Sequence, residues 1–447
     1  MSETSEQLPT EMSIDDAVAF ASRMHRLGEL DAAERLYRRV LEVVPTHPDA
    51  LNFLGILCHQ RGYSEEALRL MHASLASQAN AVGVWNNIGN ILLDLGRIDE
   101  AAQAYAHCVN LDASDAQVWN NLGVLRRAQG RLTDAEAAYL RALDVDPKHI
   151  DAHNNLGNLL AGIGRIEEAV QCYCRTIALM PGNPAARKML GYAYCMLGRL
   201  DEAAEYYRKW LEEEPDNPTA RHHLAACTGA HIPTRAEDAY VESVFDGFAD
   251  SFDAKLAALT YRAPELVADA VRSLHPVAGK QLDILDAGCG TGLCGPLLAA
   301  HARTLTGIDL SGPMLTKAQG RNVYDQLIKA ELSSFLHEAP PSVYDLLVSA
   351  DTLCYFGDLE TVFAGAFRTL RPGGSLIFTV ELAEHIPEGA GYLLSPHGRY
   401  AHTLYYVTSA LKAAGMEPVS AERQILRTEG GKPVNGLLQL ARKPPGG

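Results

Sequence analysis

A glycine-rich turn that follows an apolar run is the first place in this 447-residue sequence where residue spacing suggests chemistry. Residues 282–300 read LDILDAGCGTGLCGPLLAA, in which an apolar strand reaches Asp286 and a glycine turn leads into a helix. Gly288, Gly290 and Gly292 would let the backbone approach a bound ligand closely. The turn alone is weak evidence, because dinucleotide-binding folds use similar turns.

Acidic residues stand at the ends of the strands that follow. The segment ARTLTGIDL reaches Asp309, a short third strand is followed by Glu331 and Leu332, and the segment VYDLLVSAD ends in Asp351. Open α/β sheets bind ligands outside the carboxyl ends of their strands. We therefore expect these residues to meet the glycine turn in one crevice.

This order of strands and helices, with a Pro-Gly-Gly turn at 372–374 before the fifth strand, resembles class I methyltransferases that depend on S-adenosylmethionine (SAM). The resemblance covers roughly residues 235–447 and implies an α/β Rossmann-like domain with a seven-stranded, mostly parallel sheet. A dinucleotide oxidoreductase is the alternative, although it would normally show GxGxxG and no Pro-Gly-Gly turn. The stretches YRAPEL, LCYFGDL and GRYAH resemble predicted methyltransferases that are often fused to tetratricopeptide (TPR) repeats.

The resemblance implies a role for each residue of the crevice. Asp286 would help to hold the ammonium group of SAM, and the three glycines would approach its methionine part. Asp309 would bind the ribose hydroxyls, and Glu331 with the Leu332 amide would meet the adenine. Asp351 would face the acceptor side of the crevice.

The base that deprotonates the methyl acceptor is less clearly marked. His402 is the first candidate, because imidazole titrates near neutral pH. Tyr355 and Glu381 are alternatives near the same mouth. His397 and His402 with Glu381 match no standard metal site, so we expect no metal.

Two predicted helices, Phe245–Phe252 and Tyr261–Leu266, would fold over SAM as a lid. Phe252, Tyr261 and Arg262 are the expected lid contacts. Core packing is the alternative for the two aromatic residues.

A second pattern occupies the first half of the chain. Glycines recur at an interval of 34 residues, which is the period of TPR repeats: Gly28, Gly62, Gly96, Gly130, Gly164 and Gly198. The period predicts an all-α TPR superhelix of six units with a capping helix over residues 14–229, followed by the methyltransferase domain over residues 235–447.

Each repeat carries small residues and an aromatic in fixed phase. Position eight is small, position twenty is alanine, and position twenty-four is usually tyrosine, as in Gly89, Ala101 and Tyr105 of the third unit. We expect the small residues to let two helices approach closely. The aromatic would fill the gap to the next helix pair.

Asparagine pairs repeat in the middle units at 86–87, 120–121 and 154–155, whereas the first, second and sixth units lack the pair. Asparagine costs about 0.5 kcal/mol in a helix interior relative to alanine. The pattern resembles the asparagine ladder of the TPR superhelix in O-linked GlcNAc transferase. That resemblance predicts a protein or peptide gripped by Asn87, Asn121 and Asn155 on the concave face. The alternative is that these amides bond within the array.

Composition excludes some classes of partner. The net charge is −16 and no long basic run occurs, so we expect no nucleic-acid substrate. No apolar run approaches the ~20 residues that span a bilayer. The polar, acidic N-terminus and nine scattered cysteines predict a cytoplasmic protein with reduced thiols.

Three functions fit these patterns. The first is a SAM-dependent methyltransferase whose TPR domain recruits a protein or peptide. The second is a small-molecule O- or N-methyltransferase whose TPR domain serves localisation or assembly. The third is a non-enzymatic scaffold with a degenerate methyltransferase fold, against which the intact glycine turn and acidic residues count.

Overall fold

The structure is a computed structural model that describes residues 12–247, 249, 252–384, 386, 389–429 and 432–446. The chain divides into two compact units, Met1–Leu190 and Gly191–Gly447. The N-terminal segment used above to predict localisation and Phe248 in the predicted lid lie outside the described residues.

The first unit consists of antiparallel helix pairs that follow the 34-residue period. Its helices are α1 (Ile14–Arg26), α2 (Leu30–Val43), α3 (Pro48–Gln60), α4 (Ser64–Ser77), α5 (Val82–Asp94), α6 (Ile98–Leu111), α7 (Ala116–Ala128), α8 (Leu132–Val145), α9 (Ile150–Gly162) and α10 (Ile166–Leu179), and α11 (Pro184–Met196) crosses into the second unit. The six periodic glycines all lie in the turn between paired helices with φ between +69° and +85°. Glycine adopts this left-handed backbone without strain, so the period is confirmed in the backbone itself.

The two helices of each pair touch through the small residue at position eight. A Cβ atom on Gly89 would lie 2.6 Å from the Tyr105 ring, and one on Gly157 would lie 2.7 Å from the Tyr173 ring. These rings therefore cover the glycine of their own repeat. In phase with them, Tyr37 and Tyr207 also meet a ring of the following unit, Phe53 and His223, as we expected of the aromatic position. Close approach of the two helices leaves room only for a small residue at position eight, glycine in five units and Ala21 in the first.

The second unit begins with the end of the helical array and continues into an α/β domain. Its helices are α12 (Leu200–Glu213), α13 (Pro218–Thr228), α14 (Asp238–Asp246), α15 (Phe252–Ala258), α16 (Ala263–Leu274), α17 (Gly295–Leu298), α18 (Gly312–Gln319), α19 (Leu332–Glu338), α20 (Glu360–Thr369) and α21 (Leu404–Ala413). Its strands are β1 (Leu282–Ala287), β2 (Ala302–Asp309), β3 (Gln326–Lys329), β4 (Tyr344–Ser349), β5 (Leu370–Leu382), β6 (Tyr392–Leu394), β7 (Tyr400–His402), β8 (Glu417–Glu429) and β9 (Lys432–Arg442).

The strands form one sheet in the order β3-β2-β1-β4-β5, with β9 antiparallel to β5 and β8 antiparallel to β9. The pairs within β1–β5 are parallel. These seven strands confirm the predicted fold class, and the short hairpin β6–β7 adds two more at the end of β5. Apolar clusters that include Phe363 and Val267 pack on the sheet, so its central strands are buried as a parallel sheet requires.

Helix α13 packs against the α/β part of the second unit. Its His222 ring stacks on Tyr240 at 4.1 Å between centroids, and His222 Nε2 donates a hydrogen bond of 2.8 Å to the Gly398 carbonyl. Both His222 and His223 are buried, and burial lowers the pKa of His222. A helix therefore stands where the capping helix was predicted, and residues of the α/β part cover it.

Candidate active site

A cavity of about 350 Å³ opens beside the carboxyl ends of β1, β2 and β4. This is the edge where doubly wound sheets bind ligands, and the volume lies within the usual range for small-molecule sites. Of the sequence-predicted site residues, those that line it are Asp286, Gly288, Gly290, Asp309, Glu331, Leu332, Asp351 and Tyr355. Gly292 and His402 do not line it.

The three glycines of the turn have different surroundings. A side chain on Gly288 would collide with Thr352, whose hydroxyl donates a 3.1 Å hydrogen bond to the Gly288 carbonyl. A Cβ atom on Gly290 would meet only the Phe252 ring at 3.9 Å, so this position faces open cavity. Gly292 packs instead against Tyr324, which explains why glycine is needed there although it lies off the cavity.

Asp286 ends β1 in a deeply buried position. Its carboxylate accepts a 2.6 Å hydrogen bond from the Tyr324 hydroxyl, and its exposed fraction is 1%. Burial raises the pKa of Asp286 to about 7, and the nearby Asp309 charge adds to the effect. The carboxyl group is thus poised to change charge near neutral pH. Sequence reasoning missed Tyr324, because it lies in the irregular segment before β3.

Asp309 ends β2 and holds the glycine turn in place. One carboxylate oxygen accepts a 2.9 Å hydrogen bond from the Gly290 amide, and the other accepts one of 2.9 Å from the Ser311 amide. Burial raises the pKa of Asp309 from its ordinary value. Backbone hydrogen bonds from Ser311, Gly290 and Leu310 act to lower this pKa. A carboxylate has about four acceptor sites, so this one can still accept from a ligand hydroxyl.

Glu331 lies on the cavity wall as the N-cap of α19. Its two carboxylate oxygens accept hydrogen bonds of 2.8 Å from the Ser333 and Ser334 amides. Burial acts to raise the pKa of Glu331, but these two bonds and the charge of Arg235 lower it overall. The carboxylate is therefore committed mainly to the helix terminus.

Asp351 joins a buried network of charges on the opposite wall. Arg427 donates to Asp351 at 2.5 Å, to Glu429 at 2.6 Å and also to Glu381. Arg399 donates to Glu381 at 2.6 Å and to Glu429 at 2.7 Å. Sequence reasoning missed Arg427 and Glu429, because they follow in β8, far along the chain from the other members.

The two predicted bases occupy different places. Tyr355 lines the cavity, and its ring meets Phe245 edge to face at 5.4 Å. His402 is fully buried in β7, where its Nε2 donates 3.1 Å to the Gly357 carbonyl and its ring stacks on Tyr406. Burial lowers the pKa of His402 to about 4, so its imidazole is neutral near pH 7.

The predicted lid covers part of the cavity. Phe252 and Tyr261 line it, and α15 is tied to the glycine turn because Asp253 accepts a 2.5 Å hydrogen bond from Thr291. Arg262 is not on the cavity wall, and its backbone amide donates to Leu426.

Among the described residues, no three histidine, cysteine, aspartate or glutamate side chains cluster as metal ligands would. In the described part of the chain, no helix is both long and apolar enough to cross a membrane.

The asparagines of the TPR units bond to one another from unit to unit. Asn121 Nδ2 donates to Asn86 at 2.9 Å and to Asn90 at 3.0 Å, and Asn155 Nδ2 donates to Asn120 at 2.9 Å. The ladder also runs one unit further towards the N-terminus than the pairs indicated.

The two ends of this asparagine ladder differ. At the N-terminal end Asn87 donates a 3.1 Å hydrogen bond to Asn52, a single asparagine that the pattern of pairs does not include. At the other end the residue in phase with Asn155 is Met189, and the buried Asn154 Oδ1 has no hydrogen-bond partner among the described residues. The ladder stops where its next donor is missing.

Comparison with known proteins identifies both halves. The family model described as the cilia and flagella-associated protein 70 C-terminal domain matches residues 3–231, and the model described as a methyltransferase domain matches residues 285–378.

Curated relatives match the methyltransferase half. The malonyl-(acyl-carrier protein) O-methyltransferase of Salmonella typhimurium is 34% identical over 122 residues, which are 27% of this chain and 47% of that protein. The ubiquinone biosynthesis O-methyltransferase of Pseudomonas fluorescens is 34% identical over 109 residues, 23% of this chain and 45% of that protein. The chain thus spans less than half the length of these relatives. Among solved structures, the type IV pilus biogenesis factor PilW is 17% identical over 48% of this chain and all of its own, with a TM-score of 0.44.

Proposed function

Because the chain belongs to the family described as the cilia and flagella-associated protein 70 C-terminal domain and also carries a methyltransferase domain, we propose that it is a SAM-dependent methyltransferase whose TPR domain recruits a protein or peptide. The observation that carries the catalytic part of the proposal is the pairing of Asp309 with Gly290. A carboxylate that can accept two hydroxyls is fixed directly beside a glycine whose missing side chain leaves the cavity open.

The residues present fit SAM by their chemistry. Asp286 would hold an ammonium group, Asp309 would accept both ribose hydroxyls, and Gly290 would let the chain of the methionine part lie against the backbone. Leu332 would pack beside the adenine, with Glu331 fixing the start of α19 beneath it. SAM supplies a methyl group that its positively charged sulfur already activates.

Tyr355 and Asp351 are the groups of this chain that we propose to face the methyl acceptor, since both line the far wall of the cavity. His402 remains a sequence-based prediction for the base. The geometry favours a structural role instead, because the buried ring is already bonded to Gly357 and stacked on Tyr406.

A second candidate function is methylation of a small molecule. The names of the two curated relatives favour it, since one acts on a malonyl group carried by a protein and the other takes part in ubiquinone biosynthesis. Transfer to a free small molecule by the full chain, with no protein partner present, would support this second function.

The proposed partner contact rests on the asparagine ladder. Asn87, Asn121 and Asn155 are half-buried, so part of each amide is open to solvent. Asn87 and Asn155 each show one donated ladder bond, which leaves an N–H and the carbonyl oxygen for a peptide backbone. We propose that a protein or peptide binds along this row.

Asp309→Ala tests the cofactor assignment. It should remove two hydrogen bonds to the ribose, each worth about 1.5–3 kcal/mol, and lower SAM affinity at least tenfold by calorimetry. Asp269→Ala on α16, whose partner is the neighbouring Arg272, is the matched control and should bind SAM normally. Unchanged affinity in Asp309→Ala would remove this residue from the site. NADH binding at least as tight as SAM binding would favour an oxidoreductase.

A further inference from the structure

The far wall of the cavity is built from charged and aromatic side chains that belong to distant segments. Asp351 and Tyr355 follow β4, Arg399 precedes β7, and Arg427 and Glu429 end β8. This wall borders the cofactor turn, because the hydroxyl of residue 352 bonds to the carbonyl of residue 288. A methyl acceptor that binds on this side of the turn would therefore contact the wall.

The guanidinium groups of the wall are already committed. Arg427 contacts three carboxylates, those of Asp351, Glu381 and Glu429. Arg399 contacts two of the same three, Glu381 and Glu429. An anionic acceptor would have to displace an existing ion pair, and breaking a buried pair is costly.

The charges on this wall do not cancel. Three carboxylates face two guanidinium groups, which leaves one negative charge when all three are ionised. Against the effect of burial, the two guanidinium groups hold the pKa of Glu381 and Glu429 below the ordinary value, whereas burial raises the pKa of Asp351, so a neighbouring cation stabilises its charged form. His397 lies 3.8 Å from Glu381, but burial lowers its pKa to about 4, so it adds no positive charge near neutral pH. A buried site with excess negative charge favours a cation.

The wall also offers unused hydrogen-bond acceptors. Asp351 Oδ1 receives only a long 3.3 Å contact from Thr379 among the described residues. Tyr261 and Tyr355 also line the cavity, and each carries a hydroxyl that can accept a hydrogen bond. The tyrosine rings and Phe245 supply aromatic faces, which also attract cations.

We propose that this wall binds a cationic nitrogen, a primary ammonium or a guanidinium of the kind carried by lysine and arginine side chains, and that this nitrogen is the methyl acceptor. The inference rests on the proposed function, since it names the acceptor for the same cavity. The nitrogen first gives a proton to the Asp351 carboxylate. Its lone pair then forms the new C–N bond as the bond from the methyl carbon to sulfur breaks, with that electron pair left on the sulfur. The products are the methylated cation and S-adenosylhomocysteine.

Small probes can test the wall without knowledge of the natural partner. The full chain saturated with S-adenosylhomocysteine is titrated with n-butylammonium, n-butylguanidinium, butyrate and butanol, with binding followed by ligand-observed NMR. At least one cation should bind tenfold or more tightly than butyrate and butanol. Butyrate binding as tightly as either cation, or no cation binding, would overturn the inference.

Matched variants distinguish the loss of a charge on the wall from a general loss of folding. Glu429→Gln removes the excess charge at nearly constant volume and should weaken the cation at least tenfold, with affinity for S-adenosylhomocysteine unchanged. Glu422→Gln, the same change on the same strand away from the cavity, should bind the cation normally. Tyr355→Phe removes only a hydroxyl, so it provides a variant expected to fold even if Glu429→Gln does not, and it should weaken the cation several-fold. Unchanged cation binding in both cavity variants would overturn the inference.

The same titrations distinguish the two proposals. A chain that binds neither SAM nor S-adenosylhomocysteine overturns the proposed function and the inference with it. A chain that binds S-adenosylhomocysteine but prefers butyrate overturns the inference alone.

Discussion

The asparagine ladder and the charged wall of the cavity are both buried or half-buried polar networks, but they are built in opposite ways. The ladder uses one neutral residue type, asparagine, and its hydrogen bonds run in the same direction from unit to unit. Asn121 donates to Asn86, and Asn155 donates to Asn120. The wall joins five charged side chains from separate segments of the α/β domain, with two guanidinium groups shared among three carboxylates. In the ladder each asparagine finds its partner at the equivalent position of the neighbouring unit. In the wall the charged groups find partners that come from different parts of the chain.

This difference determines what each network tolerates. In the ladder a lost asparagine removes one or two neutral hydrogen bonds and leaves the links between the other units intact. In the wall, loss of Arg427 leaves the buried Asp351 with no guanidinium partner and leaves Glu381 and Glu429 to share Arg399. Such a loss is far more costly than that of a neutral hydrogen bond. The four changes below test this contrast from the largest expected effect to the smallest.

Arg427→Met should have the largest effect. The guanidinium is 5% exposed and contacts three carboxylates, so its removal should lower the free energy of unfolding by about 3–5 kcal/mol. Denaturant titration of the full chain measures this value. The matched control is Arg423→Met on the same strand, where an arginine that is 71% exposed pairs with Glu384 and should contribute about 0–1 kcal/mol. Equal losses in the two variants would contradict a buried network.

Replacing Asn87, Asn121 and Asn155 together by alanine should have a smaller effect. Ladder hydrogen bonds worth about 1 kcal/mol each are lost, and alanine returns roughly 0.5 kcal/mol per site through helix propensity. The net loss should be about 2 kcal/mol, seen as a lower melting temperature by circular dichroism. The control Asn110→Ala changes an exposed residue in α6 and should slightly raise the melting temperature.

The same triple variant decides whether the ladder also binds a partner. Weaker capture of a protein partner with unchanged SAM affinity would support the proposed peptide contact. A variant that melts lower but captures its partner normally would restrict the ladder to a structural role.

The affinity of the cavity for SAM should depend on pH, because the cavity contains carboxyl groups. The asparagine ladder contains only amides, which do not titrate. Burial raises the pKa of Asp286 to about 7, so its carboxylate is neutral below that pH and charged above it. Because only the charged form attracts an ammonium group, SAM affinity should rise by up to tenfold per unit between pH 5.5 and 7. The ligand's amino group stays charged over this range. Asp286→Asn should give a flat profile by calorimetry, and a slope that survives this change would exclude Asp286 as its source.

Met189→Asn should have the smallest effect. It places a donor in phase with Asn155, opposite the unpaired Asn154 oxygen, and should stabilise the array by about 1 kcal/mol or less. A small rise in melting temperature is expected, whereas a fall would show that the array has no room for a further link. Lys188→Asn changes the preceding residue and should give no such rise.

The sequence predicted the repetitive half more completely than the cavity. A fixed period marks Gly28 and its counterparts, so helix pairs, turns and asparagine positions could all be read from spacing. The period could not show whether an asparagine amide bonds to the neighbouring unit or to a ligand, because either role can be filled by the same residue type.

The residues of the crevice also differ in how well the sequence predicts them. Asp286 and Asp309 follow directly from strand ends, whereas Tyr324 and Arg427 reach the site from segments with no local signal. His402 is the reverse case, a residue that was predicted in the site but lies off the cavity. Its side chain is chemically suitable and close to a motif, but it is fully buried in β7.

The docking of α13 bears on how this chain can be divided. Periodicity ends the array at residue 229, and we propose the boundary 14–229 and 235–447 on that basis. The packing nevertheless assigns everything from Gly191 onward to the second unit, with His222 bonded to the Gly398 carbonyl and stacked on Tyr240. A chimaera in which another TPR array replaces this one should therefore keep α12 and α13 of this chain with the methyltransferase domain. A junction at residue 230 would remove α13 and expose the surface of the α/β domain that it buries.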